Sequence, residues 1–205
     1  MAQQITRLLP YRNYDDNDII NEFSFDQSSG EAGTFVKVVA ADLSRDPVEY
    51  TTSSYFGNTL GNATSEYPEV VNKVGVTSGT GDAGAVLGML HRDVRDTDEN
   101  GEKLHFYPQK REQLQCVLSG EAVPILTEGT VDINARGLEG GVCPNINDAA
   151  VLGANGQVTG VAYASLSAAQ KDAVVGKFIG TGIRVSQQST DAFAGVYARL
   201  KFSIK

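Results

Sequence analysis

The sequence predicts an all-β protein, mainly a β barrel or sandwich with long irregular arms and at most one or two short helices. Three observations carry this. At the C-terminus Val196, Ala198, Leu200, Phe202 and Ile204 interleave with Tyr197, Arg199, Lys201, Ser203 and Lys205, the period-two pattern of a strand with one buried face. Short β-rich runs recur at a spacing of roughly 8–12 residues between turn dipeptides, as in sandwiches and barrels. The chain of 205 residues contains 22 glycines and few windows that favour a helix.

Taken in order, residues 1–30 begin with polar and acidic loops and read as an N-terminal arm. Residues 31–205 read as a single β-rich domain, interrupted by a long loop or insertion at about 42–83 that is rich in Ser, Thr, Asn and Gly. Loops of that length usually bind something or dock on a neighbour. TFVKVVAA (34–41), LQCVL (114–118), AVPILT (122–127), VTGVAYA (158–164) and KFIGTGIRVS (177–186) are strand candidates. A further alternation sets Val131, Ile133 and Ala135 against Asp132, Asn134 and Arg136. Pro124 donates no ladder hydrogen bond and marks its run as an edge or a bulge. Asn100-Gly101 signals a type I′ hairpin between HRDV and KLHFYP. One helix is predicted at 167–175, where Ser167 and Gln170 form a capping box and Gly176 stops the helix.

Composition limits the function classes. The net charge is −8, placed as −9 over residues 1–105 and +1 over 106–205. An acidic chain without a basic stripe is a poor partner for nucleic acid, whose binding depends on phosphate neutralisation. No apolar run approaches the roughly 20 residues of a membrane-spanning helix, and the first residues lack the charged and apolar regions of a secretory signal. Cys116 lies in an apolar strand-like run and Cys143 in a loop. Both are expected as free thiols in a reducing compartment, Cys116 filling core.

The motifs with chemical potential are weak. Gly79, Gly81 and Gly84 match a dinucleotide-binding spacing, but the next residues, AVLGMLHRDV, read as strand rather than as the helix whose N-terminus would face a pyrophosphate. Asp96, Asp98, Asn100 and Gly101 match the first half of a calcium loop, yet Tyr107 stands where the closing bidentate carboxylate belongs. His91 and His105, with Asp93 nearby, offer a metal too few ligands, although a hairpin at Asn100-Gly101 would bring the two imidazoles face to face. Asp15, Asp16 and Asp18 beside Tyr11 and Tyr14 read as an acidic capping loop. Asn62-Ala63-Thr64 is a chance sequon when no signal peptide accompanies it. Lys110-Arg111 is a basic spot able to pair with an acidic partner. No catalytic residue, cofactor site or metal site is expected, and the chain does not read as an enzyme.

Between Gly84 and Asn134 the order VLGMLHRDVRD, an acidic DENG turn, KLHFYPQKR and then SGEAVPILTEGTVDI resembles the capsid decoration (cement) proteins of tailed bacteriophages, those of cyanophages in particular. The resemblance implies a structural virion protein on the outer surface of the capsid, assembled in the host cytoplasm. Its partner would be the phage major capsid protein, and it would associate with itself as a trimer or, second, as a dimer. The family has no fixed binding motif, so docking residues are chosen by position. Ile5, Leu8, Leu9, Pro10 and Tyr11 form an apolar stretch of the arm, and Tyr50, Tyr55 and Phe56 form an aromatic one, the residue types that fill interface cores. The alternative is a tail- or fibre-associated β-domain that binds a host-surface ligand; the absence of Trp weighs against a sugar platform.

Overall fold

The computed structural model describes residues 7–41, 48–50, 68–185 and 194–204. The strands among them are β1 (Leu8–Asn13), β2 (Ile19–Ile20), β3 (Ser24–Phe25), β4 (Phe35–Ala40), β5 (Val48–Tyr50), β6 (Pro68–Val70), β7 (Lys73–Val76) and β8 (Val86–Leu90). They continue with β9 (Asp93–Val94), β10 (Cys116–Val117), β11 (Ile125–Leu126), β12 (Glu128–Asn134), β13 (Ala149–Leu152), β14 (Val158–Val161), β15 (Val174–Arg184) and β16 (Gly195–Ser203). Two short α-helices, α1 (Pro108–Gln113) and α2 (Ala168–Asp172), and single 3-10 turns join them. The protein is all-β, as the sequence predicts.

Two six-stranded sheets dominate. The first has the order β1-β12-β16-β15-β13-β14 and the second β2-β11-β8-β4-β7-β3. All neighbours are antiparallel except β3 and β7, and a small parallel pair, β9 and β10, stands beside them. The alternation read in β16 is realised: Ala198, Leu200 and Phe202 are buried, while Tyr197 and Lys201 face solvent. β12 lies beside it in register, Val131 opposite Leu200 and Ile133 opposite Ala198.

The core lies in two layers, one on each face of the second sheet. Leu8, Ile133, Phe178, Leu200 and Phe202 of the first sheet meet Phe35, Met89 and Leu126 of the second. The rings of Phe35 and Phe202 meet edge to face at 5.7 Å. The next residue along each central strand, Val36, Leu90 and Ile125, points the other way, into a layer with Phe25, Val74, Val94 and Val117. Adjacent residues of a strand project to opposite faces, so β4, β8 and β11 are buried on both sides. Each large side chain there adds roughly 1.5–3 kcal/mol by leaving water.

Several expectations are corrected. Residues 8–25 are not a free arm: β1 is an edge strand of the first sheet on β12, and β2 and β3 are the two edges of the second. The hydrogen bonds that hold β1 come from residues some 120 positions away, Leu8 opposite Ile133, which no local pattern announces. The described parts of 42–83 are not loop throughout, since β7 pairs with both β3 and β4. KLHFYP is not a strand. Leu104–Phe106 make a 3-10 turn and Pro108 opens α1 at its first position, where its missing N–H costs nothing. The turn at Asn100-Gly101 has a positive φ at Gly101 alone, so it is not type I′, which needs two. The capping box of Ser167 and Gln170 forms, but α2 stops at Asp172 and Gly176 lies inside β15.

Candidate functional site

The candidate docking residues that are described differ in exposure. Leu8 is 2% exposed and belongs to the core, so it is not available to a partner. Leu9 is half-buried, Pro10 exposed, and Tyr11 42% exposed. Tyr50 lies in β5, which pairs with β6. Ile5, Tyr55 and Phe56 lie outside the described residues.

Tyr11 marks the solvent face of the first sheet. Its ring stacks under the Arg199 guanidinium, 3.8 Å from carbon to centroid. Arg199 in turn holds Asp132 with both arms of its fork, Nε to Oδ1 at 2.7 Å and Nη2 to Oδ2 at 2.9 Å. The three residues come from β1, β16 and β12, adjacent strands, with Asp132 directly opposite Arg199. The Asp132 hydrogen bonds hold the guanidinium pKa above its ordinary value. Tyr197, Lys201 and Lys177 continue this face toward β15.

The motifs singled out in the sequence have structural occupations. Around Gly79, Gly81 and Gly84 the chain forms a 3-10 turn. Asp82 there accepts the backbone N–H and hydroxyl of Ser78 and pairs with Lys37, which holds its carboxyl down to about 2. A carboxylate fixed in the turn repels a phosphate. In the would-be calcium loop, Asp98 accepts the N–H groups of Asn100 and Glu102, and the ammonium that faces it is Lys110. Lys110 also reaches Glu102, and Arg111 pairs with Glu121, so the Lys110-Arg111 spot spends its charge internally. Asp15 and Asp18 cap the turn Asp16–Asp18 reciprocally.

The histidines do not face one another. His91, 9% exposed, follows β8 directly, its ring edge-on to Tyr14 at 4.9 Å. His105 is exposed beside Phe106. Asp93 is committed elsewhere, accepting the N–H of Ala32 and pairing with Arg95 at 2.7 Å. Burial first, then Arg12 and Arg92, lower the His91 pKa to about 4, and its Nε2 has no hydrogen-bond partner among the described residues. Both cysteines are free, and burial pushes the Cys116 thiol up.

The described residues also line two surface clefts. One of about 530 Å³ is lined by Arg7, Glu31, Arg95 and Asn155 among others. Its cations are already neutralised, Arg7 by Glu31 at 3.0 Å and Arg95 by Asp93. The second, about 400 Å³, lies beside His91, Arg111, Cys116 and Glu121. Among the described residues no three His, Cys, Asp or Glu side chains gather to hold a metal ion, and no helix is long and apolar enough to cross a membrane. What sequence reading missed is the cationic side of the β15–β16 hairpin; the excess of Lys and Arg after residue 170 was its visible signal. No family model, no curated protein and no solved structure matches this chain.

Proposed function

We propose that this chain is a capsid decoration protein. It binds the outer surface of the assembled major capsid protein lattice of a tailed phage and stabilises the shell. The observation that carries the reading is the stretch Gly84–Asn134, which resembles such proteins and supplies β8 and β11 of the second sheet and β12 of the first, strands that meet in a shared core. A cement protein works mechanically. Contacts made only with the expanded shell lower its free energy by mass action against the pressure of packaged DNA. An interface of ~1,600 Å² gives affinities from micromolar to picomolar, and repetition across a lattice adds avidity. A doubly buried central sheet gives a stiff body for this work. A net charge of −8 suits the face turned away from packaged nucleic acid.

The test is cosedimentation of the protein with expanded, undecorated phage capsids, scored per coat subunit. Saturable binding at a simple integer ratio is expected, a multiple of three if trimers occupy three-fold axes and of two if dimers bridge two-fold axes. Absence of binding would overturn the reading in favour of a tail or fibre domain with a host-surface ligand.

A further inference from the structure

We infer that the outer edge of β15, from Ile179 to Ile183, is a docking strand for an extended acidic segment of a partner protein. The first observation is an open ladder. β13 accompanies only the beginning of β15, pairing Ala149 to Val151 with Lys177 to Val174. That contact ends where the Phe178 N–H donates to Asp148 O and the Asn147 N–H donates to Phe178 O. Beyond a bulge at Ile179, β15 runs on to Arg184 with β16 as its one ladder partner among the described residues. From Ile179 to Ile183 its other edge presents backbone donors and acceptors with no ladder strand across from them among the described residues.

The second observation is that the edge lacks most of the usual protection. Natural edges are blunted by Lys, Pro, short length or bulges. The segment Ile179-Gly180-Thr181-Gly182-Ile183 carries no charge and no proline, and the bulge sits at its inner end. Ile183 is 69% and Val185 79% exposed. Gly180 and Gly182 stand opposite Arg199 and Tyr197, which puts both glycines on the solvent face, where β15 adds no side chain of its own.

The third observation chooses the occupant. In a chain of net −8 this corner is basic: residues 173–185 hold no Asp or Glu. Lys177 stands directly opposite Lys201 on the solvent face, a like-charge pair that destabilises a sheet. Neither has an ion-pair partner among the described residues. A second copy would fit badly, because residues 173–185 contain no Asp or Glu and would bring no carboxylate to this corner. A strand with carboxylates on one face relieves the Lys177–Lys201 repulsion, while apolar residues on its other face cover Ile183. Strand addition of this kind takes affinity from main-chain hydrogen bonds and specificity from alternate side chains.

This deepens the decoration reading, on which it rests, by giving the coat protein's contact a chemistry. The test uses the full chain and two labelled peptides of equal length, alternating Glu-Val and alternating Lys-Val, measured by fluorescence anisotropy. The Glu-Val peptide is expected to bind saturably, more weakly in high salt, and the Lys-Val peptide not at all. The double variant Lys177→Glu/Lys201→Glu and the single variant Ile183→Glu, all at exposed positions, should keep the wild-type unfolding midpoint and weaken Glu-Val binding by about tenfold or more. No saturable binding of Glu-Val, equal binding of Lys-Val, or unchanged binding by the variants would overturn the inference. A dimer of the free protein that Ile183→Glu dissolves would overturn it in favour of a second copy. Capsid cosedimentation separates the two readings: capsid binding that survives Lys177→Glu/Lys201→Glu sinks the edge alone, and Glu-Val binding without capsid binding sinks the decoration role alone.

Discussion

Arg199 and Asp132 are clasped side by side across β16 and β12, both guanidinium arms engaged at 2.7 and 2.9 Å. Bidentate pairs of this kind fix geometry as well as charge, and the Tyr11 ring beneath adds a cation–π contact. The clasp ties the first strand of the chain to the last.

Arg199→Ala is expected to destabilise the protein by about 1–2 kcal/mol, the sum of a partly exposed ion pair and a cation–π contact. Arg199→Lys should restore under half of that, since an ammonium cannot fork. Urea unfolding midpoints measure both, and an Arg199→Lys variant equal to wild type would contradict the role of the fork.

Gly176→Ala is expected to be severe. A Cβ at Gly176 would lie 2.2 Å from Lys201 O and 2.7 Å from Phe202 Cα, backbone atoms of the neighbouring strand that cannot swing aside. The cost should exceed about 3 kcal/mol, in the range of overpacking at its worst. Gly84→Ala, by contrast, meets nothing within 4 Å and should be neutral. Thermal unfolding of the pair decides the matter.

His91 should give stability a slope on the acid side. In the folded chain it takes its proton only near pH 4, against 6.5 for an ordinary histidine. As pH falls between those values the unfolded chain binds a proton that the folded chain refuses, so stability declines, by about 3 kcal/mol in total, and levels off below. His91→Phe keeps a ring against Tyr14, removes the unpartnered nitrogen and should abolish this component of the slope. Chemical denaturation across the window, with wild type and variant compared, is the measurement.

Asp98 acts in the same direction by a different cause. Lys110 holds its carboxyl below the ordinary range. A lowered carboxyl contributes stability above its unfolded pKa and loses it as pH falls through the folded value. Lys110→Met should therefore lower stability at neutral pH and flatten the response to acid. A variant as stable as wild type at neutral pH would show that the pair contributes nothing.

The legibility of each element in the sequence depended on the range of its interactions. β15 and β16 are neighbours in the chain, and the alternation from Val196 to Ile204 announced both strand and buried face. The Ser167–Gln170 cap is local and was readable in four residues. β1 was not, because its partner is β12 and its own sequence, Leu-Leu-Pro-Tyr-Arg-Asn, shows no clean alternation. The same distance explains the candidate site. Leu8 resembled a free apolar anchor only while Ile133 and Phe35 were not beside it. The docking edge was hidden for the opposite reason, since the strand was evident and its missing neighbour was not.

In the central sheet Phe35 and Val36, Met89 and Leu90, Leu126 and Ile125 divide between two apolar layers. A strand slipped by one residue would still hand oil to oil on both sides, so polarity, which polices register in a half-wetted sheet, is nearly silent here. Gly88 speaks instead. A Cβ at that position would sit 2.5 Å from Leu126 O, and any slip that carried Leu87 or Met89 into the slot would drive a whole side chain against that carbonyl. The alignment of these strands is thus encoded by an atom the chain leaves out.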